Sequence, residues 1–169
     1  MVKAWRRARG FTLIELMIAL AILAFLLLAA MPFTRDWVDG TRQMQARSVL
    51  LEGMAKARAL GLRNPERRAP AQVVAMLDLG GSRLRLWRGV GGDQEWSGNL
   101  PAGVTLKAVG KGDLASSAAF ATAGDAFACV ALDNRGMRLP AAPGCSLPLT
   151  QERIAIGIGN QEPVYVDLL

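Results

Sequence analysis

The stretch RRARGFTLIELMIALAILAFLLLAAMP, Arg6 to Pro32, decides how the rest of the chain is read. Lys3, Arg6, Arg7 and Arg9 precede Gly10, and an apolar run then extends from Phe11 to Met31 with a single charge in it, Glu15. About 20 apolar helical residues cross the hydrocarbon core of a bilayer, so the run is long enough to span one. Its cationic flank predicts a cytoplasmic N-terminus, with the remainder of the chain on the far side. A secretory signal would have a shorter apolar core followed by a small-residue cleavage site, which Ala29-Ala30-Met31 matches only loosely. A plain signal anchor leaves Glu15 without a purpose, although ionisable residues within membrane helices normally answer to a specific partner.

The 169 residues suffice for one membrane element and one globular domain. The formal charge is +6, but four of the 20 basic residues lie before Gly10, and the 14 acids nearly balance the rest. The basic character therefore belongs mostly to the leader and says little about nucleic acid. Histidine is absent, which removes the commonest general base, the usual nucleophilic triads and most catalytic zinc sites. No catalytic constellation is present, and the chain is expected not to be an enzyme and to need no cofactor. Cys129 and Cys145 lack the CxxC spacing of redox pairs, so a structural disulfide is the default in a domain outside the cytoplasm.

Gly10 followed by Phe11-Thr12-Leu13-Ile14-Glu15 resembles the class III signal of type IV pilins and type II secretion pseudopilins. The resemblance implies cleavage between Gly10 and Phe11 by a membrane prepilin peptidase, which then methylates the new amine of Phe11. It also implies that Glu15, fifth after the cut, neutralises the amine of a neighbouring subunit and sets its register. Pro32 stands where the family often carries a helix-kinking proline. SVLLEGMAKARALGLRN, Ser48 to Asn64, looks more specifically like the helix of GspH/FimT-like minor pilins. The implied partners are the prepilin peptidase, other major and minor pilins or pseudopilins, an inner-membrane assembly platform and membrane lipid. The implied location is the bacterial inner membrane, with a periplasmic globular domain, and then the filament. A minor pilin of a type IV pilus is the favoured reading, with a minor pseudopilin of a type II secretion system as the close alternative.

Four segments are expected: a leader 1–10, a transmembrane or filament-core helix 11–32, an amphipathic continuation 33–64 and a β-rich globular domain 65–169. In the continuation, Phe33, Trp37, Met44, Val49, Leu50, Met54 and Ala57 recur at helical steps, with Gly40 and Gly53 as weak points. Beyond Pro65, AQVVAMLDL and SRLRLWRG flank Gly80-Gly81 as a hairpin. GVTLKAVG, AFACVALDN, the short MRL, RIAIGIG and VYVDLL read as further strands, the last two as a terminal hairpin. Residues 110–125 read as a loop with at most one short strand at Ala118–Thr122. The predicted class is α+β, a pilin-like long helix leaning on a mainly antiparallel sheet.

Lys56, Arg58, Arg63, Arg67 and Arg68 form a basic cluster that admits DNA as a partner. Cations complementing a helix C-terminus are the favoured account, because Glu52 and Glu66 dilute the cluster and no aromatic platform is interleaved. The family's DNA-binding members carry basic residues toward the C-terminus, whereas nothing after Arg153 is basic. The acids Asp78, Asp93, Glu95, Asp113, Asp125 and Asp133 do not form a calcium loop and read as turn residues, so no metal is expected. Trp37, Trp87 and Trp96 read as core or subunit contacts.

Overall fold

The computed structural model describes residues 11–112 and 116–168, without the side chains of residues 31–34. Gly10, the rest of the leader and Asp113 lie outside the described residues, as do the side chains of Pro32 and Phe33. The first element, α1, is a helix over Leu13–Arg63. The chain divides into two compact units, Met1–Trp37 and Val38–Leu169.

In the second unit, α1 buries a seam made of Gln43, Ala46, Leu50, Gly53, Ala57 and Leu60, with Met54 and Gly61 beside it. The steps alternate between three and four residues, which keeps the seam on one side of the helix. This differs from the sequence expectation, since Met44 and Trp37 are 54% and 74% exposed. Small residues, more than large ones, carry the contact. A Cβ on Gly53 would come within 2.9 Å of the Trp96 ring, and one on Gly61 within 2.8 Å of the Asp133 carbonyl oxygen. Gly53 thus admits the sheet to close range. Asn64 ends α1: its φ of 41° is left-handed, its N–H donates to the Leu60 carbonyl at 3.0 Å, and Pro65 follows.

The remainder is β-rich, confirming the α+β class. A five-stranded sheet is built from β1 (Ala75–Gly80), β2 (Arg83–Arg88), β3 (Gln94–Asn99), β6 (Cys129–Leu132) and β7 (Arg138–Leu139), in the order β3-β2-β1-β6-β7. A four-stranded sheet contains β4 (Thr105–Val109), β5 (Asp125–Ala126), β10 (Arg153–Gly157) and β11 (Val164–Asp167), in the order β11-β10-β4-β5. The short strands β8 (Ala141–Ala142) and β9 (Cys145–Ser146) pair separately, and every pairing is antiparallel. The expected β1–β2 hairpin is present, with Gly80 paired to Arg83 and Gly81 at φ 64° in the turn. The terminal β10–β11 hairpin is present as well.

One core joins the α1 seam to both sheets. Leu77, Leu84, Leu86, Val130 and Leu132 come from the first sheet, and Leu106, Ile154, Ile156 and Val166 from the second. β6 is buried along its whole length because it has two apolar faces. Val130 and Leu132 face the main core, while Cys129 and Ala131 join Val73 and Cys145 in a smaller cluster. There Cys129 and Cys145 form a disulfide with Cα atoms 5.7 Å apart. Closing a loop of that length stabilises the fold by roughly 3 kcal/mol in the chain-entropy picture.

Between β4 and β5 the expected loop or strand is instead a short helix, α2 (Ser117–Thr122). Ser116 caps it by accepting from the Ala119 N–H at 3.2 Å. At its other end the Lys107 ammonium donates to the carbonyls of Phe120, Ala121 and Ala123. Alanine-rich composition with a cation at the last turn favours helix over strand.

Among the described residues, two polar side chains are buried. Gln43 donates from Nε2 to the carbonyls of Ile156 at 2.8 Å and Glu162 at 2.7 Å, tying α1 to β10 and the loop after it. Asp133, 1% exposed, accepts from the N–H groups of Arg135 at 2.8 Å and Met137 at 2.9 Å and from the Arg135 guanidinium at 3.2 Å. Burial pushes its carboxyl upward, but those donors outweigh burial and hold it below the ordinary value of 3.8.

Gly61→Ala is expected to lower the unfolding temperature, because the clashing neighbour is backbone and cannot turn aside. Gly40→Ala, which meets nothing within 4 Å, should gain up to about 1 kcal/mol from helix propensity. Chemical unfolding of both variants, followed by tryptophan fluorescence, checks this. Asp133→Asn is expected to cost about 1–2 kcal/mol at neutral pH, through weaker hydrogen bonds to an uncharged acceptor. Because the folded state favours the ionised acid, that advantage is complete above the ordinary carboxyl value and is lost as pH falls through the lower, folded one. The wild-type and variant stabilities should therefore converge below pH 3.8. An offset that stays constant across an acid titration would refute the assignment.

Candidate functional site

Phe11 and Thr12 precede α1, and Thr12 starts it. Its Oγ1 accepts from the Glu15 N–H at 3.3 Å, and its carbonyl accepts from the Leu16 N–H at 3.1 Å. Thr12-Leu13-Ile14-Glu15 is thus half of a capping box, the threonine serving the third residue of the helix. Glu15 lies in the first turn, where the positive end of the helix dipole favours an anion. The threonine's part was legible in the T-x-x-E spacing, a signal that attention to the acid alone passes over.

Around this capped start the helix offers no polar face. Every large apolar side chain from Phe11 to Leu28 is exposed, Phe11 at 84% and Phe25 at 70%. Water is a poor environment for a helix that is apolar on every side. α1 is long and apolar enough to cross a membrane, near the N-terminus.

The other residues singled out from sequence fall elsewhere. Residues of the basic cluster line two different clefts. Lys56 pairs with Glu52 at 2.8 Å and lies 5.2 Å above the Trp96 ring. Arg68 pairs with Glu66 at 2.5 Å and donates to the Val73 carbonyl at 2.6 Å. Lys56 and Arg63 line an open cleft of about 250 Å³ with Leu60, Leu86, Glu95 and Trp96, while Arg68 lines a different one. Arg58 packs near Gly136, and Arg67 follows the helix end with φ 51°.

Asp133 holds a turn, as read from the sequence, but three of the other acids lie in strands. Asp78 sits within β1, directly across from Arg85, and accepts from its guanidinium and from the Trp87 indole at 2.8 Å. Glu95, in β3, pairs with Arg88, and Asp125 bonds Gln151. Among the described residues no three potential metal-ligating side chains come together. Of the tryptophans, Trp96 packs against Gly53 and Gly98, as expected of a core residue, whereas Trp37 is exposed.

Residues 5–31 match the family model for the prokaryotic N-terminal methylation motif, the signal of type IV pilins and pseudopilins. No significant match was found among curated proteins or solved structures. The motif supports a type IV pilin or pseudopilin, a structural class rather than an enzymatic one. It implies processing by a prepilin peptidase and assembly with other pilins. With the apolar helix, it fits a membrane-anchored pilin.

Thr12→Ala is expected to remove about 1 kcal/mol from the helix start, whereas Thr12→Ser should leave it intact. Hydrogen exchange at the Glu15 amide, measured in detergent micelles, should accelerate about fivefold in the alanine variant only.

Proposed function

We propose that the chain is a minor pilin of the GspH/FimT type, cut between Gly10 and Phe11, methylated at Phe11 and incorporated in low copy into a type IV pilus. The observation that carries this reading is Glu15, held in the first turn of α1, whose large apolar side chains are all exposed from Phe11 to Leu28 and whose sequence carries the methylation motif. Hydrolysis of the Gly10–Phe11 bond would leave an ammonium group at Phe11, four positions before that acid. In a filament, Glu15 of one subunit would accept hydrogen bonds from the ammonium of the next. Such a pair is tolerable in an apolar surrounding only when both members are present, so it selects register more than it adds stability. Before assembly, the positive end of the helix dipole favours the acid in the first turn.

The globular unit supports the extracytoplasmic side of the reading, since its disulfide suits an oxidising compartment. The helix ending AKARALGLRN supports the minor-pilin type, and Asn64 gives that ending a physical role as the helix stop. On this reading the inner membrane holds the precursor, the assembly platform draws it into the filament, and priming of assembly is its task.

Mass spectrometry of the mature protein should find Phe11 as the first residue, bearing one methyl group. An intact Met1, or a new end near Ala30, would overturn the processing. Glu15→Val should reduce the filament-bound fraction at least about tenfold while leaving cleavage unchanged, because it strands a buried amine. A deletion strain that loses twitching but retains exoprotein export fits the pilus assignment. Loss of export with normal twitching would assign the chain to a type II secretion system.

A further inference from the structure

Arg35, Asp36 and Trp37 form a short exposed band at the end of the first unit. Trp37 is 74% exposed, although it lies within α1 and its ring is one of the largest apolar surfaces available to the chain. The sequence between Leu16 and Phe33 contains no charged residue, and Arg35 is the first after Glu15. At 1.5 Å per residue, Phe11 to Phe33 rises about 33 Å, close to the roughly 30 Å hydrocarbon core of a bilayer. Trp37 stands four residues further, about 6 Å beyond that limit and within the headgroup layer.

We infer that Arg35, Asp36 and Trp37 are a lipid-headgroup anchor that fixes the depth of the membrane-embedded precursor. An indole ring suits this layer because one part of it is apolar and the other polar, whereas a leucine would be drawn into the chains. Arg35 and Asp36 carry opposite charges side by side, which complements the phosphate and ammonium of a zwitterionic headgroup. The neighbouring Asp39 pairs with Arg42 at 3.5 Å and adds no net charge. Attraction to anionic lipid therefore contributes little, and the ring sets the depth. The inference rests on the membrane-anchored reading of the chain and adds to it the position at which the helix stops.

The test uses the full chain reconstituted into phosphatidylethanolamine–phosphatidylcholine vesicles, with nitroxide-labelled lipid carrying the quencher at the headgroup or at mid-chain. The difference in fluorescence between Trp5→Phe and Trp5→Phe/Trp37→Phe isolates the Trp37 emission. Headgroup nitroxide should quench it about twofold or more strongly than mid-chain nitroxide, as expected for an interfacial ring. Adding phosphatidylglycerol should leave that ratio unchanged. Carbonate extraction of the same vesicles separates the two ways of failing. If the chain is released, the membrane-anchored reading itself falls. If it is retained but Trp37 is quenched best at mid-chain, or by neither label, the anchor alone is overturned. A ratio that rises with phosphatidylglycerol would overturn the zwitterionic preference.

Discussion

The globular unit depends on how closely α1 can approach its sheets. Gly53 lies against Trp96 and Leu77, and Gly61 against the Asp133 carbonyl. Ala46 and Ala57 complete a seam without bulk. Leu50 enters the core between them and meets leucines and isoleucines from both sheets. A helix with large residues along that line would stand further away and leave the two sheets without a shared interior. Burial of these side chains is the main driving force for the unit, at about 25 cal/mol per Å² of apolar surface removed from water. The small residues add little apolar area themselves and act by letting the large ones touch.

The same helix serves a different purpose toward its N-terminus. There the large apolar side chains from Phe11 to Leu28 are all exposed. One continuous secondary structure thus carries two sequence grammars. In the globular unit, small residues line the buried face. In the first unit the apolar side chains from Phe11 to Leu28 leave no polar face, and the one acid stands in the first turn, where the helix dipole favours an anion.

Much of this was legible in the residues. The leader, Gly10, Phe11 and Glu15 form a dense local pattern that needs no tertiary context, and the hairpins on either side of Gly81 and Asn160 announce themselves by alternation and turn chemistry. The seam was harder to read because hydrophobic periodicity weights large side chains. It therefore favoured Met44 and Trp37, which are exposed, over Ala46 and Gly53, which are not. β3, with the sequence QEWSGN, was not anticipated because its pattern of burial is weak at a sheet edge. α2 depends on Lys107, ten or more residues away, and no window centred on its alanines contains that cation. Asp133 was legible as a turn acid, whereas Gln43 and Asp78 owe their roles to partners across the fold, which their residue type alone did not reveal.

The position of Gln43 has a mechanical consequence. Its side-chain amide holds two carbonyls, those of Ile156 and Glu162, at the end of the seam nearest the N-terminus. A pull on α1 toward that end would reach this amide before it reached Leu50 or Leu60. Two short polar bonds would then share the load with the first turn of apolar packing, and the strain would spread into β10 at the centre of the core. A subunit held by its helix under tension would resist in shear, several contacts at once, rather than peel from one edge. Under such a load Gln43 would act as a rivet at the N-terminal end of the buried seam.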